Sequence, residues 1–353
     1  RNAFKGGAFD MWTESRSKSW ATEYEPGKIK ALDEGLMVKE LIPDGNPQPF
    51  QTMMFNYNRP YLNDWRVRRA VNTLFNFEWT NKTIFFDAYT RTDSLFTNTT
   101  DLRAEGLPTG KTLEILEEFR DQLNPKIFNE VWSQPVTDGS KNNRESLKLA
   151  LADFQDAGFK IERKGANKGK LIHQENGDQL KIEFLFYSDN FDAILAPLVE
   201  DLKKLGVDAS LKRVDTQSWI NRLRERNFDI TSITYSNSFF PGEEQRGRYH
   251  SDFAEIPLSW NLTGMKNPVM DALTERLVQQ ESYEDLMAYA RAMDFVLKWD
   301  HPGLFEWYIA ADRMVYWNRF AKPEKKPEYS VGTSSWWLDE EKDAAIKASG
   351  YRK

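Results

Sequence analysis

The sequence predicts an α/β fold, and three observations carry that expectation. Hydrophobic patterns follow a β-α-β-α-β order across residues 180–235. Further helix-period and strand-period segments flank this block on both sides. The chain has 353 residues, 40% of them hydrophobic and 29% charged, which is enough apolar material for a sizeable core. At roughly 150 residues per domain, about two domains are expected.

The central block is the most legible. Leu180, Ile182, Phe184 and Phe186 alternate with more polar neighbours, as in a strand. Phe191, Ile194, Leu195, Leu198, Val199 and Leu202 recur at helical spacing, and Gly206 suits the position just past a helix end. Val207, Ala209 and Leu211 alternate again. Asp215 can cap a helix carrying Trp219, Ile220 and Leu223, and Phe228 to Tyr235 is β-branched and aromatic. Right-handed crossovers would make these strands parallel neighbours in one sheet.

Before this block, residues 50–57 read as a strand between Pro49 and Pro60. Residues 64–78 read as an amphipathic helix with Val67, Ala70, Val71, Leu74 and Phe75 on one face, started by Asn63 or Asp64. The first fifty residues show no long periodic segment, and residues 86–143 are rich in turn signals and predict loops. A helix begins at about Arg144 and stops at Gly158.

After the block, Asn267-Pro268 is a cap followed by proline at the first helical position. Ser282 with Asp285 opens a second helix. Short aromatic strands at about 303–310 and 313–317 follow, and a basic, proline-containing tail from Lys322 is expected to run over the surface.

Composition narrows the chemistry. A net charge of -6 argues against phosphate-backbone binding, whose affinity rests on clustered Lys and Arg, so a nucleic-acid partner is not expected. Cysteine is absent, which removes disulfides, thiolate metal sites and a cysteine nucleophile. His173, His250 and His301 have no metal-binding spacing, and Asp138, Ser140 and Asn142 lack the glycine and glutamate of a calcium loop. No glycine-rich phosphate loop or elbow serine occurs. No catalytic residue, metal or cofactor is therefore expected. What stands out is 12 Trp, 13 Tyr and 23 Phe. Such rings offer wide apolar faces at low entropic cost, which suits binding without chemistry. Trp219, Tyr235, Trp307 and Tyr308 are the candidates, Tyr235 because it ends a parallel strand, where α/β sheets place ligands.

The run from Met53 to Asp64, leading into Arg66-Val67-Arg68-Arg69-Ala70, resembles a block of the peptide/nickel-type extracellular solute-binding proteins of ABC importers. Asp153 to Gly158, Leu205-Gly206-Val207 with Val214-Asp215, and Asn227 to Ile230 agree in order. Phe240 to Arg246, Tyr249-His250-Ser251, Asn267 to Asp271, and Trp307-Tyr308 through Tyr316-Trp317 are similar to the subgroup handling oligopeptides and microcin-C-like conjugates.

The resemblance implies a periplasmic-binding-protein-like lobe of class II type with a partial first lobe, the chain being a C-terminal fragment. Residues 1–52 would end the first lobe, 53–306 form the second, and 307–353 return to the first. It implies a monomer in the periplasm, or outside a Gram-positive cell and held at its membrane. Two-lobe closure on a peptide or peptide-like solute would be read by ABC permease subunits. The ligand contacts implied are Trp219, Arg222, Arg226, Tyr235, Ser238, Trp307 and Tyr308. Relatives often carry aspartate where Ser238 falls, so a site that does not require a free peptide amino terminus is expected. Glu243 or Glu244 could supply the missing charge. A secreted carbohydrate-active hydrolase, or a ligand-sensing module without transport, stands as the alternative.

Overall fold

The computed structural model describes residues 1–351. The chain forms two compact units. Unit 1 contains residues 1–46, 81–89 and those from Ile309 onward, and unit 2 contains residues 47–80 and 90–308. Residues 81–89 thus cluster with unit 1, although they fall inside the expected second lobe. Among the described residues no helix is long and apolar enough to cross a membrane.

Unit 2 is built on a mixed five-stranded sheet: β1 (Phe50–Phe55), β2 (Lys181–Phe186), β3 (Asp208–Arg213), β4 (Ile230–Tyr235) and β5 (Gly303–Phe305), in spatial order β5-β1-β4-β2-β3. β2 pairs in parallel with both β3 and β4, so the predicted β-α-β-α-β unit is present. β1 runs antiparallel to β4 and to β5, with Phe50 opposite Tyr235 and Met54 opposite Gly303.

The helices of unit 2 include α1 (Trp65–Leu74), α2 (Arg144–Asp156), α3 (Asn190–Lys204), α4 (Thr216–Arg224), α5 (Glu243–Tyr249), α6 (Pro268–Leu277) and α7 (Tyr283–Asp300). Local signals set most of their starts. The side chains of Asp64, Asp215, Asn267 and Ser282 accept backbone N–H bonds from Arg66, Ser218, Val269 and Asp285. The helix expected over 64–78 breaks after Leu74: Phe75 is extended, and Asn76 accepts from the Trp79 N–H to open the helix Phe77–Thr83.

Three expectations are corrected. Residues 86–143 are not all loop but hold the helix Gly110–Glu117, which lies against α7. Part of this segment is fixed from beneath by one buried carboxylate. Asp294 accepts from the Ser94 hydroxyl and from the Leu95 and Ala104 N–H groups, with Lys298 at 3.2 Å. In unit 1, Met37–Pro43 forms a strand of a three-stranded antiparallel sheet with Met11–Thr13 and Ala311–Trp317. The C-terminal tail is not purely a surface segment: Glu340–Ala348 is helical and buries Ile346 with Phe4, Tyr24 and Trp317.

The core of unit 2 gathers Phe50, Met54, Tyr235, Leu273, Met293, Leu297 and Phe305 among others. Gly206 closes the turn from α3 to β3 at φ +85°. A Cβ there would stand 2.4 Å from the Gly169 carbonyl oxygen and 2.6 Å from the Leu171 nitrogen. Positive φ and backbone contact both exclude a side chain. Gly206→Ala is therefore expected to cost about 2 kcal/mol or more of unfolding free energy, read as a lower urea midpoint. An unchanged midpoint would show that the turn relaxes.

Candidate functional site

Antiparallel pairing of β1 with β4 and β5 brings three chain ends to one edge of the unit 2 sheet. The carboxyl end of β4, the start of β1 and the end of β5 meet there, and the rings of Phe50 and Phe305 pack edge-on at 5.0 Å. Tyr235 ends β4 at this edge. Its ring is only 2% exposed, and its hydroxyl donates to the Trp260 carbonyl at 2.5 Å. Burial drives that hydroxyl's pKa upward. The Tyr249 ring lies near-perpendicular at 6.4 Å and the Trp260 ring at 6.1 Å. Ser238, three residues on, is exposed, and its hydroxyl is engaged with the Phe240 carbonyl and N–H.

Trp307 and Tyr308 follow β5 and pair with Thr90 and Arg91. Trp307 is buried and stacks on Phe75 at 6.1 Å, while Tyr308 is half-buried. Between them and the sheet lies Glu306, a carboxyl the sequence did not single out. It is 1% exposed and accepts from the Ser232 hydroxyl at 2.6 Å. Burial pushes its pKa up to about 7.

The other three candidates lie elsewhere on the sheet. Trp219 sits against its middle: the indole donates to the Thr231 hydroxyl at 2.9 Å, and the ring meets Tyr187 at 4.8 Å. Arg222 pairs with Glu183 at 2.5 Å and donates to the Asn227 carbonyl, beyond the opposite end of β4 from Tyr235. Arg226, at φ +50°, clasps the 253–262 loop. Its guanidinium donates to the carbonyls of Asn261, Leu262, Phe253 and Ile256 and to the Ser259 hydroxyl. The structure thus gathers Tyr235, Ser238, Trp307 and Tyr308 at one edge of unit 2, and it commits Arg222 and Arg226 to internal partners. No three His, Asp or Glu side chains among the described residues are grouped as a metal site.

Residues 1–254 match the family described as bacterial extracellular solute-binding proteins, family 5, middle region. The chain belongs to this family. Among its relatives, "Uncharacterized protein YejA" of Escherichia coli K12 is 31% identical over 348 residues, covering 98% of this chain and 56% of the relative. "Probable peptide-binding protein YejA" of Agrobacterium fabrum is 33% identical over 338 residues, covering 95% and 54%. The chain therefore spans about half the length of the curated relatives it matches. Among solved structures, the oligopeptide-binding protein AppA of Bacillus subtilis, in complex with a nonapeptide, superimposes with a TM-score of 0.66 at 14% identity, over 96% of this chain and 57% of that one. The fold of this family 5 chain is thus the class II periplasmic-binding-protein fold of the peptide/nickel type.

Two buried groups make opposite demands on pH. Glu306 keeps its proton in the folded chain to about pH 7, against an ordinary value of 4.5, so the stability it contributes is complete below 4.5 and lost as pH rises through 7. His301 is buried near Arg68 and Arg69, and desolvation pushes it down to about 3 from 6.5, so its contribution is complete above 6.5 and lost as pH falls through 3. Between 4.5 and 6.5 the folded chain holds about one extra proton at the first and about one fewer at the second, and their slopes cancel. Glu306→Gln leaves His301 unopposed: stability should then fall by roughly 1.4 kcal/mol per pH unit on acidification across this window. Urea midpoints measured against pH test this, and a variant whose profile parallels the unsubstituted protein's would contradict it. Arg226→Ala strands several loop carbonyls and is expected to cost about 3 kcal/mol. Full stability combined with weakened solute binding would instead place Arg226 at the ligand.

Proposed function

We propose that this chain is part of the substrate-binding component of an ABC importer, working outside the cytoplasmic membrane and binding oligopeptides or peptide-like solutes. Unit 2 would be its second lobe, and unit 1 would belong to the first. The single observation behind this reading is the family 5 match over residues 1–254, supported by relatives that include a probable peptide-binding protein. The strand-end edge suits that role, because its conspicuous groups are rings, hydroxyls and backbone, which grip rather than react. In this reading the ligand meets the edge near Tyr235, Ser238 and Tyr308, the first contributing as the wall behind its neighbours. The chain does no chemistry on the solute, and membrane permease subunits receive it.

The test uses the full-length protein in thermal-shift screens against mixed peptide and glycan pools. A ligand present at about 100 times its Kd should add about 2.7 kcal/mol of stability. Stabilisation by glycans with none by peptides would overturn the reading. Ser238→Asp should shift preference toward peptides with a free amino terminus, by about tenfold for one new ion pair. No change in that preference would remove Ser238 from the site.

A further inference from the structure

The sheet register collects polar side chains on one face of the strand-end edge. Phe305 lies opposite Thr52, and the next residue, Glu306, donates its N–H to the Gln51 carbonyl at 3.0 Å. Gln51 in turn lies opposite Thr234 on β4. Residues opposite one another in a sheet project from the same face. Glu306, Gln51 and Thr234 therefore form a row across three strands, on the face away from Phe50 and Tyr235. Ser232 stands on that face too, two residues before Thr234.

The row opens to water at one end and is closed at the other. Thr234 is exposed, Gln51 and Ser232 are half-buried, and Glu306 is buried. Among the described residues, the Gln51 side-chain amide and the Thr234 hydroxyl make no hydrogen bond. The Glu306 carboxyl makes one: Oε1 accepts from the Ser232 hydroxyl at 2.6 Å, and Oε2 has no partner among the described residues. A carboxyl can accept at both oxygens, so burying one half-satisfied is costly.

No counter-charge offsets that cost. Burial raises the proton affinity of Glu306, the Ser232 bond lowers it, and no charged side chain acts on it. The groups facing it from β1 and β4 are Gln51, Ser232 and Thr234, none of them titratable. Arg91, opposite the neighbouring Trp307, spends its guanidinium on the Pro135 and Asn72 carbonyls. Arg103 is paired with Asp93 and Glu105. A buried acid without a cation thus ends a row of open hydrogen-bonding groups, two residues before Tyr308. Such a group calls for an explanation.

We propose that Glu306, reached along Gln51 and Thr234, is a cation-recognition subsite that receives the ammonium group of a lysine side chain in a peptide solute. As the ammonium arrives, the Glu306 O–H bond breaks and the proton leaves to solvent. The carboxylate then pairs with the cation through Oε2 and still accepts from Ser232 at Oε1. The Gln51 amide oxygen and the Thr234 hydroxyl accept from the remaining ammonium N–H groups. Capture of a lysine-bearing peptide is therefore linked to the loss of one proton, and so to pH. This deepens the peptide-binding reading above and rests on it. A peptide amino terminus presents the same ammonium, and the test separates the two sources.

The test is affinity selection on the full-length protein at pH 6 and pH 8, with captured peptides counted by mass spectrometry. Three pools of short random peptides are used, all with free carboxyl termini. The first is N-acetylated and contains lysine. The second is the same set with acetyl-lysine in its place. The third carries acetyl-lysine and a free amino terminus. At pH 8 the first pool should be captured about tenfold over the second, the scale of one charged hydrogen-bonded pair. Most of that preference should vanish at pH 6, where a carboxyl titrating near 7 is about nine-tenths protonated. Preference for the third pool over the second would identify the amino terminus as a further source of the same group. Glu306→Gln keeps an acceptor for Ser232 and should equalise the pools at both pH values, its unliganded melting temperature showing that it folds. Equal capture of all three pools by the unsubstituted protein overturns the proposal. So does a preference that survives Glu306→Gln, or one unchanged between pH 8 and pH 6. Capture from none of the pools overturns the peptide reading itself.

Discussion

The chain first enters unit 2 along β1 and finally leaves it after β5, and the antiparallel pairing of these strands with one another is the constraint on which the site depends. It places both passages at the end of the sheet where β4 finishes. Tyr235 opposite Phe50 and Phe305 opposite Thr52 record the register that achieves this. A one-residue slip would exchange the two faces of β1, setting Met53 where Thr52 now accompanies Phe50 and Met54 on the Tyr235 face. The same register carries Glu306 across β1 to the Ser232 hydroxyl.

Buried charges then fix the pieces around that edge. Arg68 is 1% exposed, donates to the carbonyls of Leu62, Asp300 and His301, pairs with Asp300 at 2.7 Å and lies over the Tyr57 ring. It thereby ties the start of α1 to the turn that leads from α7 into β5. Asp294 does the same for the 94–104 segment, and Arg226 for the 253–262 loop. In each case a charge withdrawn from water is satisfied by several backbone groups, which makes the local geometry single-valued. These are positioning devices. They hold the strand-end groups still.

Much of this was legible in the sequence. Asp64, Asp215, Asn267 and Ser282 act within one helical turn, and the apolar periods of α2, α3 and β2 are local too, so each could be read directly. The helix Gly110–Glu117 was not, because its flanks carry loop-like glycine and proline and its stability comes from lying against α7. The helix Glu340–Ala348 and the strand Met37–Pro43 were missed for the same reason: the first is anchored by Ile346 in a distant cluster, the second by Ala311–Trp317. Arg222 and Arg226 looked available for a ligand because a sequence shows the cation but not Glu183, nor the five acceptors of the loop.

By itself, then, the sequence determined the class of fold, the β-α-β-α-β unit, the helix starts and the family, since these rest on near-neighbour chemistry and on patterns that repeat along the chain. Only the tertiary structure decided which polar groups are spent and which are open. Arg222 and Arg226 are alike as letters. Their difference lies in their partners, Glu183 on β2 at a separation of 39 residues for the first and the Asn261 carbonyl at 35 for the second, which only the folded chain brings within hydrogen-bond reach.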